Sequence, residues 1–235
     1  MANPDKFLKM AFVAALSLGS SFPLQAQDSG PRDPETIRGY RQLARCVEAN
    51  APDDVGRLLN QFYWAARELK AVRRISKSQR SCRSFGVNAK EMEDELVRGS
   101  FASAAFLRKH EDDNLPDYSQ VPNIAEYELR ILNGSNSSSI EFSQNILLHR
   151  KLFSFGECVF RKMPESVRGL LRTEPATAAE SQSIAELKPS LSFCLAMEKA
   201  TQISFTRLFL RGILGEAAYA VDSDFATQSA SQVNR

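Results

Sequence analysis

Two cysteine pairs constrain this chain more than any other feature. Cys46 lies 36 residues before Cys82, and Cys158 lies 36 residues before Cys194. Setting position 46 over 158 brings Cys46-Val47 onto Cys158-Val159, Pro52 onto Pro164, Val55 onto Val167 and Leu58-Leu59 onto Leu170-Leu171. The shared pattern is C-V-x4-P-x2-V-x2-L-L. Beyond the second cysteine one extra residue restores the match. Arg98-Gly99 then meets Arg211-Gly212, and Ala104-Ala105-Phe106 meets Ala217-Ala218-Tyr219. Amphipathic helices that merely look alike would explain the leucines but not the equal cysteine spacing. The pattern predicts a tandem duplication of a unit of about 75 residues, at 36–110 and 146–222.

Four cysteines allow three pairings. An ancestral single unit held two cysteines and could close one internal bridge, which predicts Cys46–Cys82 and Cys158–Cys194. A domain-swapped ancestor would instead pair across the repeats. Each loop of this size would contribute about 3–4 kcal/mol on a chain-entropy model.

Disulfides require an oxidising compartment, and the N-terminus supplies a route to one. Lys6 and Lys9 precede the apolar stretch Met10–Leu18, and Leu24-Gln25-Ala26 follows. Residues 1–26 therefore read as an export signal cleaved before Gln27. The apolar run is too short for a spanning helix, which needs roughly 20 residues. The most apolar later stretch, Ile203–Val221, carries Arg207, Arg211 and Glu216.

Helical signals dominate the mature chain. Ile37, Tyr40, Leu43 and Val47 fall at helical spacing after Pro34. Asn50-Ala51-Pro52 stops that helix, because a residue before proline is driven out of the helical region. Pro52 suits the first turn of the next helix, with Asp53 and Asp54 at the positive end of its dipole. Pro164 and Glu165 repeat the device. One apolar face is expected to continue from Val55 to about Ile75. A capping box at Asn88-Ala89-Lys90-Glu91 opens a helix expected to reach Lys109, with a counterpart from Glu198 to Val221. Residues 27–35 form an N-terminal extension, and 111–145 a linker with a possible short helix over Val121–Leu132. Thr173–Ser183 reads as a looser connection, and 223–235 as a disordered tail. The fold class is all-α, with two similar units each clipped by one internal disulfide.

Composition narrows function by exclusion. Thirty Lys and Arg against 28 Asp and Glu leave a charge of +2, so nucleic acid is not an expected partner on bulk electrostatics. Only His110 and His149 are present, and neither sits at metal-ligand spacing. His110-Glu111-Asp112-Asp113 reads as a solvated acidic loop, and His149 as a surface or partly packed residue. There is no G-x-S-x-G elbow, H-E-x-x-H, phosphate loop or dinucleotide fingerprint. The sequence assigns no catalytic residue, metal or cofactor.

One asymmetry separates the units. Arg67, Lys70, Arg74 and Lys77 are spaced to form a basic stripe on a helix, whereas Ala179, Gln182, Glu186 and Pro189 occupy the aligned positions of the second unit. The stripe is either a solvated face or a possible anion-binding surface for a phospholipid head group, a lipopolysaccharide or an acidic protein face.

Cys158-Val159 with Pro164, Leu170-Leu171, Arg211-Gly212 and Ala217-Ala218-Tyr219 resembles a group of exported alphaproteobacterial proteins of uncharacterised activity. The resemblance covers both units but not the linker or tail. It implies an envelope location and brings no catalytic or ligand residues with it. The expected function is an exported helical interaction or binding protein of the cell envelope. Its partner would be a protein or an anionic envelope component. The alternatives are a small envelope hydrolase whose carboxylates converge only in three dimensions, and a chaperone-like stress protein that holds clients on exposed apolar surface.

Overall fold

The computed structural model describes residues 34–60, 74–75, 79, 81–82, 94–111, 114–124, 140–197 and 206–233. Among the described residues the chain is all-helical, without a strand. The α-helices are α1 (Pro34–Asn50), α2 (Pro52–Leu59), α3 (Asp94–Lys109), α4 (Ile140–Lys162), α5 (Pro164–Arg172), α6 (Ala178–Met197) and α7 (Arg207–Val233). A 3-10 turn spans Tyr118–Gln120.

The two prolines act alike. Ala51 (φ −146°, ψ 56°) and Met163 (φ −141°, ψ 60°) both leave the helical region, and Pro52 and Pro164 each open the following helix. A missing amide there costs nothing, since first-turn amides have no helical acceptor. The short helices α2 and α5 then bury Val55, Leu58 and Leu59 on one side, and Val167, Leu170 and Leu171 on the other. The bridges are Cys46–Cys82 and Cys158–Cys194, as the within-unit pairing requires. In each, the second cysteine is fully buried and the first is partly covered.

Two apolar cores result. One gathers Tyr40, Leu43, Val47, Val55, Leu58 and Phe101. The other gathers Phe155, Val159, Phe160, Val167, Leu171 and Leu214. Helices α3 and α7 serve both, because Phe106 of α3 sits in the second core and Leu208 of α7 in the first. They form the most extensive helix pair of the fold. Their closest point is Gly99 against Gly212, where a Cβ on Gly99 would lie 2.3 Å from the Gly212 Cα. The matched Arg-Gly pairs of the sequence therefore meet at the crossing of α3 and α7.

Several expectations need correction. The looser connection over Thr173–Ser183 shrinks to Thr173–Thr177, because α6 begins at Ala178 and continues through Pro189. Thr177 caps that start, its hydroxyl accepting from the Glu180 amide at 3.2 Å. The tail at 223–235 was expected to be disordered, yet α7 runs unbroken to Val233. Asp222, where the unit boundary was drawn, is buried and bound in mid-helix, so local composition misread a helix anchored by tertiary contacts. Helix α2 ends at Leu59, and the rest of the apolar face expected to reach Ile75 falls on residues 61–73, outside the described residues. The export signal at 1–26 and the capping box at 88–91 lie outside the described residues.

Candidate functional site

Each of the two Arg-Gly pairs supplies a guanidinium that caps the end of a short helix. The last carbonyls of a helix have no partner within it. Arg98 donates to the carbonyls of Leu58 (3.0 Å) and Leu59 (2.8 Å) at the end of α2. Arg211 donates to those of Leu170 (2.8 Å) and Leu171 (3.0 Å) at the end of α5. Each arginine also meets an acid: Glu216 at 3.6 Å from Arg98, and buried Glu180 at 3.2 Å from Arg211. Burial pushes the Arg211 guanidinium down to about 10, with Glu180 opposing the shift.

Beside Arg211 lies a small open cleft where α1, α3 and α7 meet the loop after α5. Ile37, Arg41 and Arg45 reach it at four-residue spacing along one face of α1. Its floor is made of small side chains, chiefly Gly99, Ser100, Ser103 and Gly212. The same absence of side chains that lets α3 and α7 touch leaves this space beside their crossing. In the register that sets position 46 over 158, Arg41 and Arg45 fall opposite Phe153 and Glu157, and with the one-residue shift Ser103 falls opposite Glu216. The acid that sits against Arg98 in one half is thus a serine in the other.

The cleft arginines differ in occupancy. Arg41 donates to the Arg172 carbonyl at 2.6 Å and is ion-paired with Glu174. Its side chain is 12% exposed, and burial, reinforced by the charge of Arg45, holds its guanidinium below the usual arginine range. Arg45 is exposed and has no hydrogen bond or ion pair with a described residue.

A second polar cluster ties α3 and the 3-10 turn to α7. One Asp222 oxygen accepts from the Tyr118 hydroxyl at 3.0 Å and pairs with His110 Nε2 at 2.8 Å. The other accepts from Lys109 Nζ at 2.6 Å. The His110 carbonyl accepts from Arg172 at 2.8 Å. Burial, followed by the Asp222 charge, holds the Tyr118 hydroxyl far above the usual tyrosine range, so it remains a proton donor. His110, expected in a solvated loop, is buried against Phe106. The cluster satisfies its own donors and acceptors, which is the chemistry of a clamp. The helical spacing that brings residues 109, 110 and 222 together is legible only once α7 is known to pass 222.

Of the basic stripe, Arg74 is exposed in a described helical pair of residues, while Arg67, Lys70 and Lys77 lie outside the described residues. His149 falls within α4. Among the described residues no three His, Cys, Asp or Glu side chains converge as metal ligands. Sequence reading passed over Arg41, Arg45 and Glu174. The available signal was the change from Phe153 and Glu157 to two arginines at matched positions. Comparison of the chain with models of known families, with curated proteins and with solved structures returns no match.

Proposed function

We propose that this chain is an exported helical binding protein of the cell envelope, built from two copies of one unit, with its ligand seat in the cleft between them. The observation that carries the reading is the convergence of Arg41, Arg45 and Arg211 over a floor of glycine and serine. Pockets that bind small molecules combine apolar walls with a few placed polar groups, and Ile37, Leu107 and Leu208 supply such walls. The arginines at positions 41 and 45 are not needed by the unit itself, since the other half holds phenylalanine and glutamate there.

Export is supported by the signal-like residues 1–26 and by two disulfides, which persist in oxidising compartments. No helix among the described residues is long and apolar enough to cross a membrane. The resemblance to exported alphaproteobacterial proteins points the same way. Duplication is supported by the matched proline starts, bridges and guanidinium caps.

The alternatives have less behind them. A carboxylate hydrolase needs two acids facing one another with divergent pKa values. Among the described residues the buried carboxylates instead face cations: Glu48 with Arg108, Glu157 with Arg161, Glu180 with Arg211, and Asp222 with Lys109. Client holding needs a broad apolar patch. Among the described residues the exposed large hydrophobic is Phe193, and Lys162 lies over its ring. The test is native mass spectrometry of the mature protein recovered from envelope fractions. A retained small molecule, lost on Arg45→Glu, is the expected result; a protein without adduct, or one whose adduct survives Arg45→Glu, would contradict the reading.

A further inference from the structure

We propose that the cleft takes a small organic carboxylate with an apolar body, held by Arg41 and Arg45 in competition with Glu174. This deepens the binding reading and rests on it. The chain already shows what anion its guanidinium accepts: Glu174 places a carboxylate on Arg41 from the loop between α5 and α6.

That loop is pinned through its backbone rather than through the glutamate. The Ala176 amide, on a residue at φ 60°, donates to Glu180 at 2.8 Å. The Thr177 hydroxyl donates to the Glu174 carbonyl at 2.7 Å, and the Thr173 carbonyl accepts from Arg211 at 3.0 Å. The Glu174 side chain is 56% exposed. It can swing into solvent without the loop moving, which makes it a displaceable occupant.

Arg45 lies one helical turn from Arg41 on the same face and has no anion of its own among the described residues. Two guanidiniums one turn apart, one weakly occupied, form a seat for a carboxylate, which arginine binds through paired, charge-assisted hydrogen bonds. The neighbouring walls are apolar, from Ile37, Leu107, Leu208 and Pro175. They favour a singly charged head with a hydrocarbon body over a phosphate, whose second charge would have to be desolvated there.

The test is isothermal calorimetry on the mature, oxidised full chain with three probes: hexanoate, hexanamide and inorganic phosphate. Hexanoate is expected to bind, with hexanamide at least roughly tenfold weaker, as loss of a charge-assisted pair implies. Glu174→Gln should tighten hexanoate binding several-fold by removing the competitor. Arg45→Gln should weaken it by roughly tenfold, and Arg45→Lys should restore part of the loss. Arg45 is exposed, so an unchanged thermal midpoint is expected for Arg45→Gln and separates binding from folding.

Equal affinity for hexanamide and hexanoate would overturn the proposal, as would weaker binding in Glu174→Gln. Phosphate binding that is lost in Arg45→Gln, without hexanoate binding, would overturn the carboxylate assignment while leaving the cleft as a binding site. No heat from any probe would also overturn the assignment, and the adduct measurement on the recovered protein would then decide the broader reading alone.

Discussion

Single side chains here are held by charge placed where helices leave carbonyls unpaired. Arg211→Met would remove the donor to the carbonyls of Leu171 and Thr173 and leave buried Glu180 with Arg207, at 3.7 Å, as its ion-pair partner. A loss of about 3–5 kcal/mol is expected, as for other half-removed buried pairs, and denaturant unfolding would measure it. Glu48 behaves oppositely. Burial raises its carboxyl above the ordinary 4.5, and Arg108 offsets this only in part. The folded state binds that proton more tightly than the unfolded chain, so the stability it contributes is full below 4.5 and is lost as pH rises through the raised value. Glu48→Gln should therefore match the wild-type thermal midpoint near about pH 4 and exceed it at neutral pH. A lower midpoint at neutral pH would mean that the Arg108 pair outweighs desolvation. The Arg-Gly match was visible in the sequence, but its role was not: a guanidinium that caps another helix acts across some 40 residues, beyond the reach of periodicity.

Between helices, the decisive contact is the crossing of α3 and α7. It is sterically lopsided: a Cβ on Gly99 meets the Gly212 backbone at 2.3 Å, while a Cβ on Gly212 meets only the Gly99 Cα, at 3.7 Å. Gly99→Ala should force the helices apart and cost at least about 1–3 kcal/mol. Gly212→Ala should be neutral or gain up to about 1 kcal/mol from helix propensity. Thermal midpoints of the two variants test this, and equal effects would contradict the geometry. Asp222 fixes the same helix further on, through Tyr118, His110 and Lys109. Asp222→Asn should lower the midpoint and raise amide exchange from Ala218 onward, whereas exchange confined to the last turn would show that the clamp is dispensable. Helix starts at Pro52 and Pro164 could be read from sequence because proline acts locally. The continuation of α7 past 222 could not, since polar small residues signal disorder until a buried partner is known.

Taken as one body, the described N-terminal helices α1–α3 and C-terminal helices α4–α7 build two cores that share α3 and α7. Phe106 packs in the second core and Leu208 in the first, so neither half closes its own interior. Residues 36–110 expressed alone should lack a cooperative transition, and mixing them with 146–235 should restore one; independent folding of either piece would contradict the shared core. The equal cysteine spacing made the bridges readable, and apolar periodicity with the proline helix starts made the all-helical class readable. The cleft was not readable, because it exists only where α1 of one half meets α7 of the other, and its arginines look like ordinary surface charge along a single helix. Chemical-shift mapping of the mature chain with hexanoate locates the ligand seat. Saturable shifts are expected together at Arg41 and Arg45 of α1, at Ser100, Ser103 and Ala104 of α3, and at Leu208 of α7. Shifts confined to one helix, or centred away from the Gly99–Gly212 crossing, would contradict a seat between the halves.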